Sequence, residues 1–155
     1  MNIDVRALIP SDAEKMLLIE QRSHRSPWSL SLLKDSFGSD YLTRGLYNNS
    51  ELCGYFIVNT IKVCAEATLQ NICVAPEYQG QGFGHILMND LIDELKSQSY
   101  EYLFLEVRAS NENAILLYKK VGFQTDGTRK DYYQCDNGLR EDAVLMSLHL
   151  SVDAE

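Results

Sequence analysis

"EATLQNICVAPEYQGQGFGHIL", residues 66–87, decides the fold. Its first half is rich in apolar and β-branched residues and stops at Pro76, the pattern of a central strand covered on both faces. Its second half sets Gly80, Gly82 and Gly84 at the opening of a run in which Phe83, Ile86, Leu87, Leu91, Ile92 and Leu95 keep helical spacing to about Lys96. A strand that ends in a glycine-rich turn and feeds a helix presents free N–H groups and the positive end of the helix dipole. That combination favours a phosphate or pyrophosphate. A tight turn with close helix-strand packing accounts for the same glycines equally well. A Walker loop is excluded because no lysine follows, and a dinucleotide fingerprint fails because its third glycine position is His85. The register that fits is Gln79-x-x-Gly82-x-Gly84.

Outward from this unit, "YEYLFLEVR" (residues 100–108) reads as the next strand, which makes the strand-loop-helix-strand segment a parallel crossover. Ser110 is expected to cap a helix carrying Ala114, Ile115, Tyr118 and Val121, with Gly122 as its left-handed end. Upstream, Ser11 and Glu14 have the spacing of a capping box before Met16, Leu17 and Ile19. Pro27 interrupts the chain before a short helix from Ser29 to about Gly38, leaving Trp28 at the junction as the lip of a site or a plug in the core. Residues 41–49 and 52–63 read as strands joined at Asn48-Asn49-Ser50. Residues 128–134 and 140–150 flank an Asn-Gly hairpin at Asn137-Gly138.

Composition limits the function. The 155 residues, 45% hydrophobic and 23% charged, suit one domain over residues 1–150 with a short tail at 151–155. The amino terminus lacks a basic-then-apolar segment and no stretch approaches a membrane span, so a cytoplasmic protein without membrane association is expected. Cys53, Cys64, Cys73 and Cys135 show no CxxC spacing, and small core residues in a reducing compartment are expected there rather than a metal site or disulfide. A net charge of −8 with no Lys/Arg block argues against direct nucleic-acid binding and favours a basic protein or amine as partner. Nothing in the sequence fixes an oligomeric state.

The Gln79-x-x-Gly82-x-Gly84 loop and the downstream "NENAILLYKKVGF" (residues 111–123) together resemble the GCN5-related N-acetyltransferase (GNAT) superfamily. Along nearly the whole chain, "SPWS" (26–29), "EATLQNICV" (66–74), "LEVRASN" (105–111) and "REDAVLM" (140–146) are similar to the RimI-type ribosomal-protein alanine N-acetyltransferases within it. The resemblance implies an α+β fold, a mixed, mostly antiparallel sheet with helices on both faces, whose fourth and fifth strands splay to admit acetyl-coenzyme A. It implies a pyrophosphate on Gln79, Gly80, Gln81, Gly82, Phe83, Gly84 and His85, a pantetheine arm along Ile72, Cys73 and Val74, and a cofactor contact from Asn111. Family members often carry arginine where this chain has Gly80, so one positive charge is missing there. The activity implied is transfer of acetyl to the N-terminal amine of a basic ribosomal protein. Relatives that acetylate lysine or small amines, and a non-catalytic coenzyme A-binding module, are the alternatives.

Such a transfer needs a free amine, a stabilised oxyanion and a proton for the departing thiolate. Glu106, a carboxylate in an apolar strand, is either paired with Arg108 two residues on or used as general base. An α-amine, with a pKa of roughly 7.7 to 8.0, asks little of such a base. By resemblance Tyr118 is the general acid. Trp28, Tyr132 and Tyr133 are expected to form an aromatic mouth, with Glu66, Asp131, Glu141 and Asp142 supplying negative potential for a basic peptide.

Overall fold

The structure, a computed structural model, describes residues 2–150, so the tail expected after residue 150 lies outside the described residues. The sheet runs in the order β1-β2-β3-β4-β5-β7-β6, formed by β1 (Ile3–Ala7), β2 (Tyr41–Asn48), β3 (Glu51–Ile61), β4 (Glu66–Val74), β5 (Tyr102–Arg108), β6 (Gln124–Gln134) and β7 (Arg140–His149). β4 and β5 are parallel and the other neighbours antiparallel. This is the mixed, mostly antiparallel sheet that the resemblance implied. β1 was not apparent from the sequence; its five residues alternate only partial burial with exposure at the sheet edge, so its hydrophobic signal is faint.

Helices cover the sheet from opposite sides. α3 (Phe83–Ser97) lays Leu87, Met88, Leu91 and Leu95 against Phe56, Val58, Ala67, Leu69, Leu103 and Leu105, and α4 (Glu112–Lys120) adds Tyr118 to the same cluster. On the other face α1 (Ala13–Ser23) and α2 (Leu30–Lys34) pack Ala13, Met16, Ile19 and Leu33 on Tyr55, Ile57 and Cys73. The cysteine expectation fails at Cys64, which is exposed, whereas Cys53 and Cys73 are buried and all four thiols are free.

Two expected caps are replaced by their neighbours. A 3₁₀ turn over Pro10–Asp12 precedes α1, and the Asp12 carboxylate accepts from the Ile9 amide at 2.9 Å, so Ser11 does not begin the helix. At α4 the N-cap is Asn111, whose Oδ1 accepts from the Ala114 amide at 3.2 Å, one residue after Ser110. Both shifts keep a side-chain oxygen on an otherwise orphaned helix-terminal or turn donor. The turns at Asn49 and Gly138 form as expected, each in the left-handed region.

Candidate active site

The site begins where two strands part. β4 and β5 pair through Glu66↔Tyr102, Ala67↔Leu103 and Thr68↔Phe104 only, among the described residues. Immediately beyond, Ile57 and Val58 of β3 face Asn71 and Leu69, so Gln70 is a bulge. Such an extra residue re-aims the side chains that follow. Leu69 packs with the α3 cluster, while Asn71 and Cys73 turn toward α1.

Two cavities occupy the divergence. One, of about 610 Å³, is lined by residues including Ile72, Glu106, Asn111 and Tyr118. The other, of about 670 Å³, lies against Phe104, Leu145, Met146, Asp126 and Arg129. Trp28, Leu69, Gln70, Leu105, Glu106 and Tyr133 line both, so the cavities meet at Glu106.

The glycine loop meets the first requirement of an anion cradle. Gly80 and Gly82 hold φ of 79° and 85°, and a Cβ at either would meet nothing within 4 Å. The positive φ calls for glycine; the open space leaves the first-turn amides of α3 approachable. Gly84 serves differently: its Cβ position lies 3.4 Å from the Leu117 side chain of α4, a helix-helix contact. Gln79 turns its amide back, donating to the Val74 carbonyl at 2.9 Å, and thereby fixes the loop to the end of β4. Cys73 points its thiol toward α1, 3.9 Å from the Ile19 carbonyl, leaving only its backbone on the parted edge. Neither cavity is lined by Cys73, Val74 or residues 79–85, so the glycine loop and the end of β4 lie outside the cavities that Ile72 and Asn111 line.

Glu106 pairs with Arg129, not with Arg108: Arg129 Nε lies 3.1 Å from Glu106 Oε2. Arg108 instead bonds Glu141 at 3.1 Å and covers the Tyr133 ring at 4.6 Å. Glu141 also accepts from the Ser110 amide at 3.0 Å, and these contacts, Ser110 first, hold its carboxyl below the usual range. Asp142 accepts from the Asp131 amide. Two of the four acids expected to attract substrate thus brace the hairpin and the start of α4.

Tyr118 is 6% exposed, yet lines the first cavity. Burial, with a smaller contribution from Tyr133, pushes its hydroxyl up to about 12. It therefore carries its proton throughout the neutral range. Burial followed by Glu106 likewise raises Tyr133.

The aromatic mouth forms only in part. Trp28 is half-buried against the α1-α2 core and lines both cavities. Tyr133 lines both as well, while Tyr132 stays exposed at the rim, edge-on to Tyr133 at 5.0 Å. Glu66 lies outside both cavities. Its partner Tyr102 is four residues from Glu106 along β5, a separation of roughly 13 Å at strand rise.

Sequence reasoning missed Glu20. It lies wholly buried on α1, with Oε1 accepting from the Tyr55 hydroxyl and from Asn71 Nδ2 (2.8 Å), and Oε2 from the Trp28 amide (2.9 Å). The available signal was a glutamate four residues after Met16 on the apolar stripe of the helix. His24 and Cys73 each bring a ligand-type atom within 4.8 Å of the others, but the carboxylate oxygens are already engaged and burial lifts the Cys73 thiol to about 11.

A parallel strand pair that splays beside a glycine cradle, with a carboxylate and a protonated tyrosine in the gap, is the architecture of an acyl-transfer site. The family model for the acetyltransferase (GNAT) family matches residues 10–123, and the chain belongs to that family. Its relatives are more particular. The [ribosomal protein bS18]-alanine N-acetyltransferase of Haemophilus influenzae is 45% identical over 90% of this chain and 93% of its own length. The protein of the same name from Escherichia coli K12 is 41% identical over 96% and 98%. The crystal structure of the ribosomal-protein-S18-alanine N-acetyltransferase from Escherichia coli superposes with a TM-score of 0.93 at 40% identity, covering 99% of this chain and 97% of that one.

Proposed function

We propose that this chain, as one acetyltransferase domain over residues 1–150, transfers acetyl from acetyl-coenzyme A to the N-terminal α-amine of a protein. The acceptor is the N-terminal alanine of a small-subunit ribosomal protein, in the cytoplasm. The observation that carries this reading is the meeting of two cavities at Glu106: one opens toward Asn111 and Tyr118, the other is free for an acceptor. The names of the relatives that match along nearly the whole chain support the choice of acceptor.

Acetyl-coenzyme A supplies the activated acyl group. Residues 79–85 bind its pyrophosphate through backbone amides, and the Ile72–Val74 end of β4 receives the pantetheine arm as an added strand. Asn111, capping α4 on the cavity wall, contributes a further contact. Glu106 takes the proton from the acceptor amine, and Tyr118 holds one ready at its hydroxyl. Trp28 and Tyr133 enclose the junction and exclude water.

Competition tests the acceptor class. Acetylation should be inhibited by a peptide that starts with alanine and continues with basic residues, and should be indifferent to a polyamine. Inhibition by the polyamine alone would move the enzyme to small amines.

A further inference from the structure

The buried carboxylate of Glu20 joins two walls of the first cavity, Trp28 and Asn71, to Tyr55 in the core behind them. Its Oε2 accepts from the Trp28 backbone N–H, and its Oε1 accepts from Asn71, the residue just past the β4 bulge, and from the Tyr55 hydroxyl of β3. Trp28 follows Pro27 in a segment between α1 and α2, with Arg25, Ser26 and Pro27 exposed before it. The tether on its own amide adds to the packing of Trp28 against the α1-α2 core in fixing the indole over the junction of the cavities. We infer that Glu20 is a positioning residue for the acceptor, holding Trp28 in register with the parted edge of β4.

This rests on the acetyl-transfer reading of the cavities. It goes beyond that reading in assigning acceptor affinity to a carboxylate whose oxygens are already engaged by this chain's own donors. Glu20→Met removes both acceptor oxygens at nearly the same side-chain length and so severs the Trp28 tether. Glu20→Gln does not: with its amide oxygen on the Trp28 N–H, its NH₂ donates to the Tyr55 hydroxyl, which accepts as well as donates. Tyr55→Phe is the complementary cut, removing one donor without touching Trp28.

The experiment measures steady-state kinetics with an alanine-starting basic peptide for wild type, Glu20→Met, Glu20→Gln and Tyr55→Phe, beside acrylamide quenching of Trp28, the chain's single tryptophan. Expected are a rise of about tenfold in the acceptor KM of Glu20→Met, an unchanged acetyl-coenzyme A KM, and easier quenching, with Glu20→Gln close to wild type in all three. Tyr55→Phe should melt at lower temperature with acceptor KM and quenching as in wild type. Equal acceptor KM in Glu20→Met and wild type would overturn the inference, as would a matching rise in Tyr55→Phe, which would make the whole network merely structural. Should Glu20→Met not fold, quenching and acceptor KM in Glu20→Asp, which keeps an acceptor but shortens its reach, decide on the same terms. A wild type that ignores the peptide overturns the acceptor reading instead, and the quenching result alone then decides whether Glu20 holds Trp28.

Discussion

Arg129 reaches across from β6 to place its Nε 3.1 Å from Oε2 of Glu106. The guanidinium is 56% exposed and the carboxylate 31%, and such half-exposed pairs contribute about 0–1 kcal/mol. An incoming ammonium can therefore exchange with Arg129 at small cost. The pair keeps a carboxylate at the cavity junction while leaving it available.

Glu106→Gln should consequently lower turnover by about 10²-fold or more while moving the melting temperature little. The loss should shrink at a pH above the α-amine pKa of roughly 8, where free amine no longer depends on a base. A loss equal at every pH, read from kcat/KM profiles, would assign Glu106 a positioning role.

Tyr118→Phe should retain acetyl-coenzyme A binding by calorimetry and lose about 10²-fold or more in turnover, the usual contribution of a placed acid. Unchanged turnover would remove Tyr118 from the chemistry.

The same residue sets an alkaline limit on stability. Its folded pKa of about 12 stands above the ordinary value of 10.0, so the neutral form is favoured in the fold. The associated stability is complete below pH 10.0 and is lost as pH rises through about 12. Denaturation midpoints across that window should fall less steeply in Tyr118→Phe than in wild type; parallel curves would contradict the burial of the hydroxyl.

Gly82→Ala places a Cβ at φ 85° with no clash inside the chain. Left-handed strain of about 1–3 kcal/mol follows, and in the proposed binding mode the methyl occupies the face that would receive the pyrophosphate. Acetyl-coenzyme A affinity should fall further than stability does, which paired calorimetry and denaturation would register. Gly84→Ala, near Leu117 and without positive φ, should affect both much less.

Much of this architecture was legible because local chemistry and tertiary environment agree along β4 and α3. The apolar run, Pro76, the glycines and the helical spacing all point to one unit. What escaped was set across the chain. The partner of Glu106 comes from β6, whose register to β7 shifts between Arg129 and Tyr133, whereas period-two counting sees only Arg108 on the same strand. Glu66 carries the right charge but sits before the splay, and sequence does not say where two strands stop pairing. Glu20 reads as an ordinary helix glutamate until Tyr55, Asn71 and Trp28, from three other segments, are seen to converge on it.

The central claim is tested most directly by mass spectrometry of acetyl transfer to an alanine-starting basic ribosomal peptide, beside the same peptide with its terminus blocked and its lysines free. Label confined to the open terminus is the predicted result. Label on the lysines of the blocked peptide, or on neither peptide, would contradict N-terminal acetylation.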